Sequence, residues 1–372
     1  MAGRKVILPL LILLFAASYT FGQTEELKSV VNNLAFYKQK KDLKYLSSAK
    51  KSVDSLIQTR ADSADIQKNV YKVVVYSSIA YIDSLNKLKQ PANFFETTRK
   101  QVEKLSANKK IYKYQAEMDY SKRCLANVYL RQGFGYMRIS DYNNAIRVFK
   151  NAQKYAPDFK QINAYIAYAN NRMGNLTDAA KYYTDLLKTD STKGEYYEAA
   201  SNTYKAIGDT SKALKILQKG RKHLPGDKYL LIDEANIYNN ERDYKALEPL
   251  LGQLLDENTV NFDVAFIAAN CYDHLNEFDK AESLYLRAVE LNSAVYEPIY
   301  DLGVLYFKKS ILKHGEDSGK EAVKAAQWLE KANEISPNDV KCLQLLQLAY
   351  TKIGDKDQIE KIDNKLKLLT NQ

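Results

Sequence analysis

The chain has 372 residues, enough for two or three ordinary domains or one elongated array, and 45% are hydrophobic, so a packed core is within reach. Its 14 Gly and 7 Pro are few, which argues against an all-β chain full of tight turns and in favour of helices. The formal net charge of +10 comes from lysines scattered among Glu and Asp, the pattern of a solvated helical surface and not of a nucleic-acid-binding one.

The N-terminus reads as a targeting segment. Arg4 and Lys5 precede an apolar run, Val6 to Ala17, and a small and polar exit follows through Gly22. That order predicts a secretory signal peptide over residues 1–22, cut before Gln23. The run is shorter than the roughly 20 residues that span a bilayer, so no integral membrane segment is expected after cleavage. Loss of Arg4 and Lys5 lowers the charge to +8. The expected location is outside the cytoplasm, in the periplasm or associated with the outer envelope.

Residues 23–125 are irregular but helical in pattern. Leu43 to Ile57 and Ile66 to Leu85 show apolar residues at helix spacing, and Asp62 to Asp65 reads as a turn carrying an N-cap. Pro91 breaks the pattern between Lys87 and Phe94.

From Gly133 the chain repeats every 34 residues. Gly133, Ala167, Ser201, Ala235, Ala269 and Gly303 are all small. Three residues on, Tyr136, Asn170, Tyr204, Tyr238, Tyr272 and Tyr306 give five Tyr in six. A third series runs Ala145, Ala179, Ala213 and Ala281, with Ala246 standing in one residue early. A small residue and a Tyr three apart share one helix face, and the small one admits a second helix. Pairs such as Ser140-Asp141, Gly174-Asn175, Gly208-Asp209 and Asn276-Glu277 supply turns. Each period is therefore a two-helix hairpin stacked on its neighbours.

The unit Ala126 to Phe159, with Tyr129, Gly133, Tyr136, Ala145, Phe149, Ala152 and Pro157, resembles the tetratricopeptide repeat family. The units beginning at Gly194 and Phe262 match it well, and those at Lys160 and Lys228 are weaker but in register. The resemblance implies an all-α, right-handed superhelical array. It places six repeats over residues 126–339, with ten extra residues (about 308–324) in the sixth and a turn near His314 to Gly319. Residues 340–372 make a partial repeat and a capping helix.

In that family the first helices line a concave groove that binds peptides or partner helices. If the residue after the small one faces it, the lining includes Phe134, Tyr168, Asn202, Asn236 and Asn270. The three Asn form a ladder at one-repeat spacing, able to donate to and accept from a peptide main chain. Four residues further on, Arg138 and Arg172 suit a carboxylate or phosphate, with His274 at the same position later in the array. Leu130, Phe266 and Tyr300 would add apolar contact. The resemblance thus implies a non-catalytic scaffold for other envelope proteins or peptides. The alternatives are a structural or oligomerisation element whose groove is self-filled, or an envelope enzyme with an unrecognised site.

Little chemistry is legible. His223, His274 and His314 lack metal-site spacing, and there is no phosphate loop or nucleophile turn. No cofactor, no metal and no catalytic residue are expected. Cys271 and Cys342 fall at small packing positions and read as core fillers.

Overall fold

A computed structural model describes residues 25–370. The proposed signal peptide, residues 1–22, lies outside the described residues. The described residues form helices and turns without strands, and the chain divides into two compact units between Asp190 and Ser191.

In the first unit α1 (Glu25–Lys40) and α2 (Leu43–Ser55) form a hairpin, followed by the short α3 (Arg60–Ala64). The expected turn at Asp62 to Asp65 is in fact this short helix and the start of the next one. Thr59 and Asp62 close a capping box around α3, and Asp65 caps α4 by accepting from the Lys68 N–H at 2.9 Å. α4 (Ile66–Ile82) is buried along most of its length by Val70, Val73, Val74, Val75 and Ile79. It ends at Ile82, nine residues before Pro91, and the Asp83 that follows accepts with its carboxylate from the N–H groups of Lys87 and Leu88 and so builds the loop. α5 (Phe94–Ser106) pairs with α4, and α6 (Gln115–Arg138) runs unbroken into the hairpin with α7 (Tyr142–Tyr155). α8 (Gln161–Arg172) and α9 (Leu176–Thr189) complete this unit.

In the second unit α10 (Gly194–Ile207) pairs with α11 (Thr210–His223). α12 (Lys228–Glu241) faces a broken partner: α13 (Tyr244–Leu247), a 3-10 turn, then α14 (Leu251–Glu257). Pro249 interrupts this second helix because it has no N–H to donate. The packing position here is filled by Leu247, fully buried and in register with Ala213 and Ala281, and not by Ala246. α15 (Phe262–His274) pairs with α16 (Phe278–Leu291), α17 (Tyr296–Leu312) with α18 (Gly315–Ile335), and α19 (Val340–Ile353) with α20 (Lys356–Thr370). The ten additional residues lengthen both α17 and α18, with the turn at Lys313 and His314.

One local device builds six of these hairpins. The residue closing the first helix takes a left-handed conformation: Ser140, Gly174, Gly208, Arg242, Asn276 and Gly354 have φ between 57° and 89°. The next residue's N–H then reaches back to the carbonyl of the residue in the Tyr series, as in Asp209 to Tyr204 at 2.9 Å and Glu277 to Tyr272 at 2.8 Å. This satisfies a carbonyl that the helix end leaves open. Asp141, Asp209, Asp243 and Asp355 also cap the helix that follows.

The small series is where helices meet. Ala167, Ser201, Ala235 and Ala269 are fully buried, and a Cβ added to Gly133 would fall on the Phe149 ring. The Tyr hydroxyls tie hairpins together. Tyr76 donates to Asp54 at 2.6 Å, Tyr155 to Glu103 at 2.6 Å, Tyr306 to Glu282 at 2.7 Å, and Tyr350 to Glu330. A Phe at these positions would bury the same ring and lose a charge-assisted bond. All three cysteines are free and buried. Burial pushes the Cys124 thiol up to about 12 and those of Cys271 and Cys342 to about 11, as core fillers require.

Candidate docking face on the first helices

The ten residues expected to line one groove are shared between the units. Phe134, Arg138, Tyr168 and Arg172 lie in the first, and Asn202, Asn236, Phe266, Asn270, His274 and Tyr300 in the second.

In the first unit Arg138 and Arg172 are exposed, and Tyr168 is 40% exposed. Arg172 Nε lies 3.4 Å from the Tyr142 hydroxyl, a weak contact that leaves its guanidinium open to solvent. Phe134 is half-buried, because its ring packs edge-on against Phe149 and Tyr165. Leu130 is 2% exposed and belongs to the core, so the apolar contact expected from it is lost. Arg131 donates to the carbonyls of Tyr81 and Ala80 at 2.8 and 3.2 Å and caps the C-terminal end of α4.

In the second unit Asn202 is exposed and Asn236 half-buried. Asn270 is half-buried, and its side-chain oxygen accepts from the Tyr285 hydroxyl at 2.7 Å. The third rung of the ladder therefore already serves α16. Phe266 is half-buried beside Phe262 and Tyr285, and Tyr300 stacks on Tyr296 with centroids 5.5 Å apart. His274 is exposed at one edge, but its ring lies flat on Tyr244 at 4.2 Å and its Nδ1 faces its own helix's Asn270 carbonyl. Both contacts hold it as part of the wall.

Sequence reasoning missed the carboxylates of this face. α12 contacts both α10 and α15, and Lys308 of α17 binds Asp273 of α15 at 2.7 Å, which joins the first helices into one surface. Glu198, Asp233 and Asp301 lie on it, each half-buried, and none makes a hydrogen bond or ion pair with a described residue. Burial raises the carboxyl pKa of all three, and neighbouring acids add to it: Asp233, Asp227 and Glu195 around Glu198, Asp227 near Asp233, where Lys205 pulls the other way more strongly, and Asp273 and Glu297 around Asp301. Asp301 moves furthest, to about 7, with Lys308 pulling the other way. Tyr229, on the same helix as Asp233, is 61% exposed. No repeat position marks these acids: the series that holds two of them reads Arg131, Tyr165, Ala199, Asp233, Ile267 and Asp301, and Glu198 lies outside it.

Among the described residues no group of three His, Cys, Asp or Glu side chains is placed to hold a metal ion. No described helix is long and apolar enough to cross a membrane. A crevice of ≈ 460 Å³ opens at α16 and α17, where Lys309 is already paired with Asp279 and Glu282 at 2.9 and 2.6 Å.

The fold is an all-α array of two-helix repeats. Residues 126–194 and 262–294 match tetratricopeptide repeat models, so the chain carries repeats of that family over these stretches. Among solved structures it is similar to a MamA protein (21% identity, 47% of this chain and 90% of that one, TM-score 0.42) and to MamA from Desulfovibrio magneticus RS-1 (16%, 49% and 97%, 0.43). It is also similar to YrrB, a TPR protein with an unusual peptide-binding site (20%, 53% and 96%, 0.46). No curated protein matches the sequence.

Proposed function

We propose that this chain is a non-catalytic protein-interaction scaffold that docks an extended segment of another protein on its first-helix face. One observation carries the reading: in the second unit that face stays open, with Asn202, Tyr229, Asn240 and His274 all exposed. Exposed aromatic and amide groups on rigid helices are what anchors are made of. Phe266, Tyr300 and the half-buried Asn236 would supply the apolar floor and a further amide. In the first unit Tyr168, Arg138 and Arg172 offer a second, basic docking surface, with Phe134 forming the floor beneath it.

The partner is read as another exported protein or peptide, because residues 1–22 have the order of a secretory signal. Cell fractionation tests this part, and recovery in the cytosol would refute it. Crosslinking in intact cells with mass spectrometry identifies the partner. The docking reading is tested by changing Asn202 and Asn236 together to Ala, leaving Asn270 in place because it holds the Tyr285 hydroxyl. Partner capture is expected to fall while thermal unfolding stays within a few degrees of the parent. Capture at the parental level would sink the reading.

A further inference from the structure

The first-helix face of the second unit has a definite chemical preference. We infer that it takes an extended, Lys- and Arg-rich segment of a partner protein, with Asp233 and Asp301 as the two charge anchors. This rests on the docking reading above and narrows it to one class of partner.

Three separate observations support it. The first is the distribution of charge. Residues 25–190 hold 29 Lys and Arg against 16 Asp and Glu, whereas residues 191–372 hold 24 against 29. The shift is concentrated on the first helices. One repeat position carries Arg131 and Tyr165 in the first unit and Ala199, Asp233, Ile267 and Asp301 in the second. Another carries Asn127 and Gln161, then Glu195, Tyr229, Asp263 and Glu297.

The second is the state of the carboxylates. Elsewhere in this unit buried acids have partners: Glu234 binds Arg221 at 2.7 Å, Asp273 binds Lys308 at 2.7 Å, and Glu321 binds Lys313 at 2.5 Å. Glu198, Asp233 and Asp301 are withdrawn from water by half-burial and have no ion pair at contact distance, Lys205 and Lys308 acting on Asp233 and Asp301 only from further off. A partly desolvated carboxylate without a donor is a standing cost to the free protein. An incoming ammonium or guanidinium removes that cost and forms a charge-assisted bond.

The third is the aromatic surface beside the acids. Tyr229, one helical turn before Asp233, is 61% exposed, and the half-buried Tyr300 lies within reach of the Asp301 charge. Aromatic surface beside acids suits the methylene stems of Lys and Arg and allows cation–π contact with the rings. An acidic peptide would meet Glu195, Glu198, Asp233, Asp263, Glu297 and Asp301 and be repelled.

The test uses the full chain and three fluorescein-labelled peptides of equal length: alternating Lys and Ser, alternating Glu and Ser, and alternating Asn and Ser. The Lys peptide is expected to bind, more weakly as salt is raised, and the Glu peptide not to bind. Changing Asp233→Asn and Asp301→Asn together should weaken the Lys peptide about tenfold. Both changes remove partly buried charge, so the variant should unfold at or above the parent temperature at pH 8. Unchanged Lys-peptide affinity in that variant, or no Lys-peptide binding by the parent, overturns the inference. If the Asn peptide binds as tightly as the Lys peptide and loses affinity on changing Asn202 and Asn236 to Ala, docking on this face stands and the charge preference falls. Concentration-dependent self-association seen in sedimentation for the parent and abolished in the Asp variant would make a second copy the occupant, and would likewise overturn it.

Discussion

The two units are built from the same hairpin and manage charge in opposite ways. In the first unit the excess is positive, and its notable acids are bound. Glu103 is held by Lys154 at 2.7 Å, Tyr155 at 2.6 Å and Arg99 at 2.6 Å, and its pKa falls to about 2, led by the Lys154 bond. In the second unit the excess is negative, and Asp301 stands half-buried with its pKa raised to about 7, led by burial. Stacking therefore does not fix the net charge of a unit. The first-helix positions outside the small and Tyr series carry opposite signs in the two units without changing the hairpin.

The largest expected effects come from the helix contacts the units share. A methyl at Gly133 meets the rigid Phe149 ring, while one at Gly303 meets mainly the flexible Leu329 side chain at 2.7 Å, with the Leu329 backbone nitrogen at 3.3 Å. Overpacking costs about 1–3 kcal/mol, offset in part by the helix propensity Ala gains over Gly, about 1 kcal/mol. Gly133→Ala is expected at the upper end of the net range and Gly303→Ala at the lower end, read from denaturant midpoints. Equal losses would mean that the two contacts are equally tight, and this part of the comparison would break.

The opposed pKa shifts predict opposed pH responses. Glu103 is lowered from 4.5 to about 2, so its stabilisation is present above pH 4.5 and is lost as pH falls towards 2. Asp301 is raised from 3.8 to about 7, so the native state binds more protons than the unfolded state between those values. Its contribution to stability falls as pH rises from about 4 to 7 and is level above that. The groups facing Asp301 are Glu297, Tyr300 and Lys308 on α17, Asp273 on α15, Tyr285 on α16 and Tyr244 on α13. Asp301→Asn should therefore raise the melting temperature at pH 8, by about 2–4 °C per kcal/mol, and change it little at pH 4. Glu103→Gln should lower it at pH 7 by a similar or smaller amount, since partly exposed pairs contribute about 1 kcal/mol or less, and leave it unchanged near pH 2. A rise for Asp301→Asn at both pH values would mean that packing, and not charge, governs that position.

The hairpins were legible because they are local. A small residue and a Tyr three apart, then a left-handed residue and a cap, sit within ten positions, and each is required by backbone geometry. The Tyr-to-carboxylate ties were less legible, since Glu282 and Tyr306 or Asp54 and Tyr76 are more than twenty residues apart and bear no fixed motif. The N-terminal hairpins lack the small series, so only their apolar spacing was visible. Ala246 misled because like residue type drew attention from the in-register Leu247. The acids of the first-helix face were hidden by a sound general rule, that scattered charge is solvated surface. It fails at Asp233 and Asp301 because the fold half-buries positions that composition alone treats as equal.

The smallest expected effect bears on the turns, where the units are most alike. Ser140 in the first unit and Arg242 and Asn276 in the second take φ of 59°, 57° and 63° without being Gly, while Gly208 and Gly354 fill the same place at 89° and 86°. A residue with a Cβ pays roughly 1–2 kcal/mol in this region, least for Asn, whose short amide tolerates it. Gly removes that strain and costs about 0.5–1 kcal/mol through the freer unfolded chain. Arg242 is exposed, so little packing is lost with it. Arg242→Gly is expected to stabilise by about 0.5 kcal/mol and Ser140→Gly by a similar amount, while Asn276→Gly should be near neutral. The measurement is the denaturant midpoint at constant slope. A loss at Arg242 alone would show that its side chain has a role beyond the turn, and would make the second unit's hairpin at α12 different in kind from its counterpart at Ser140.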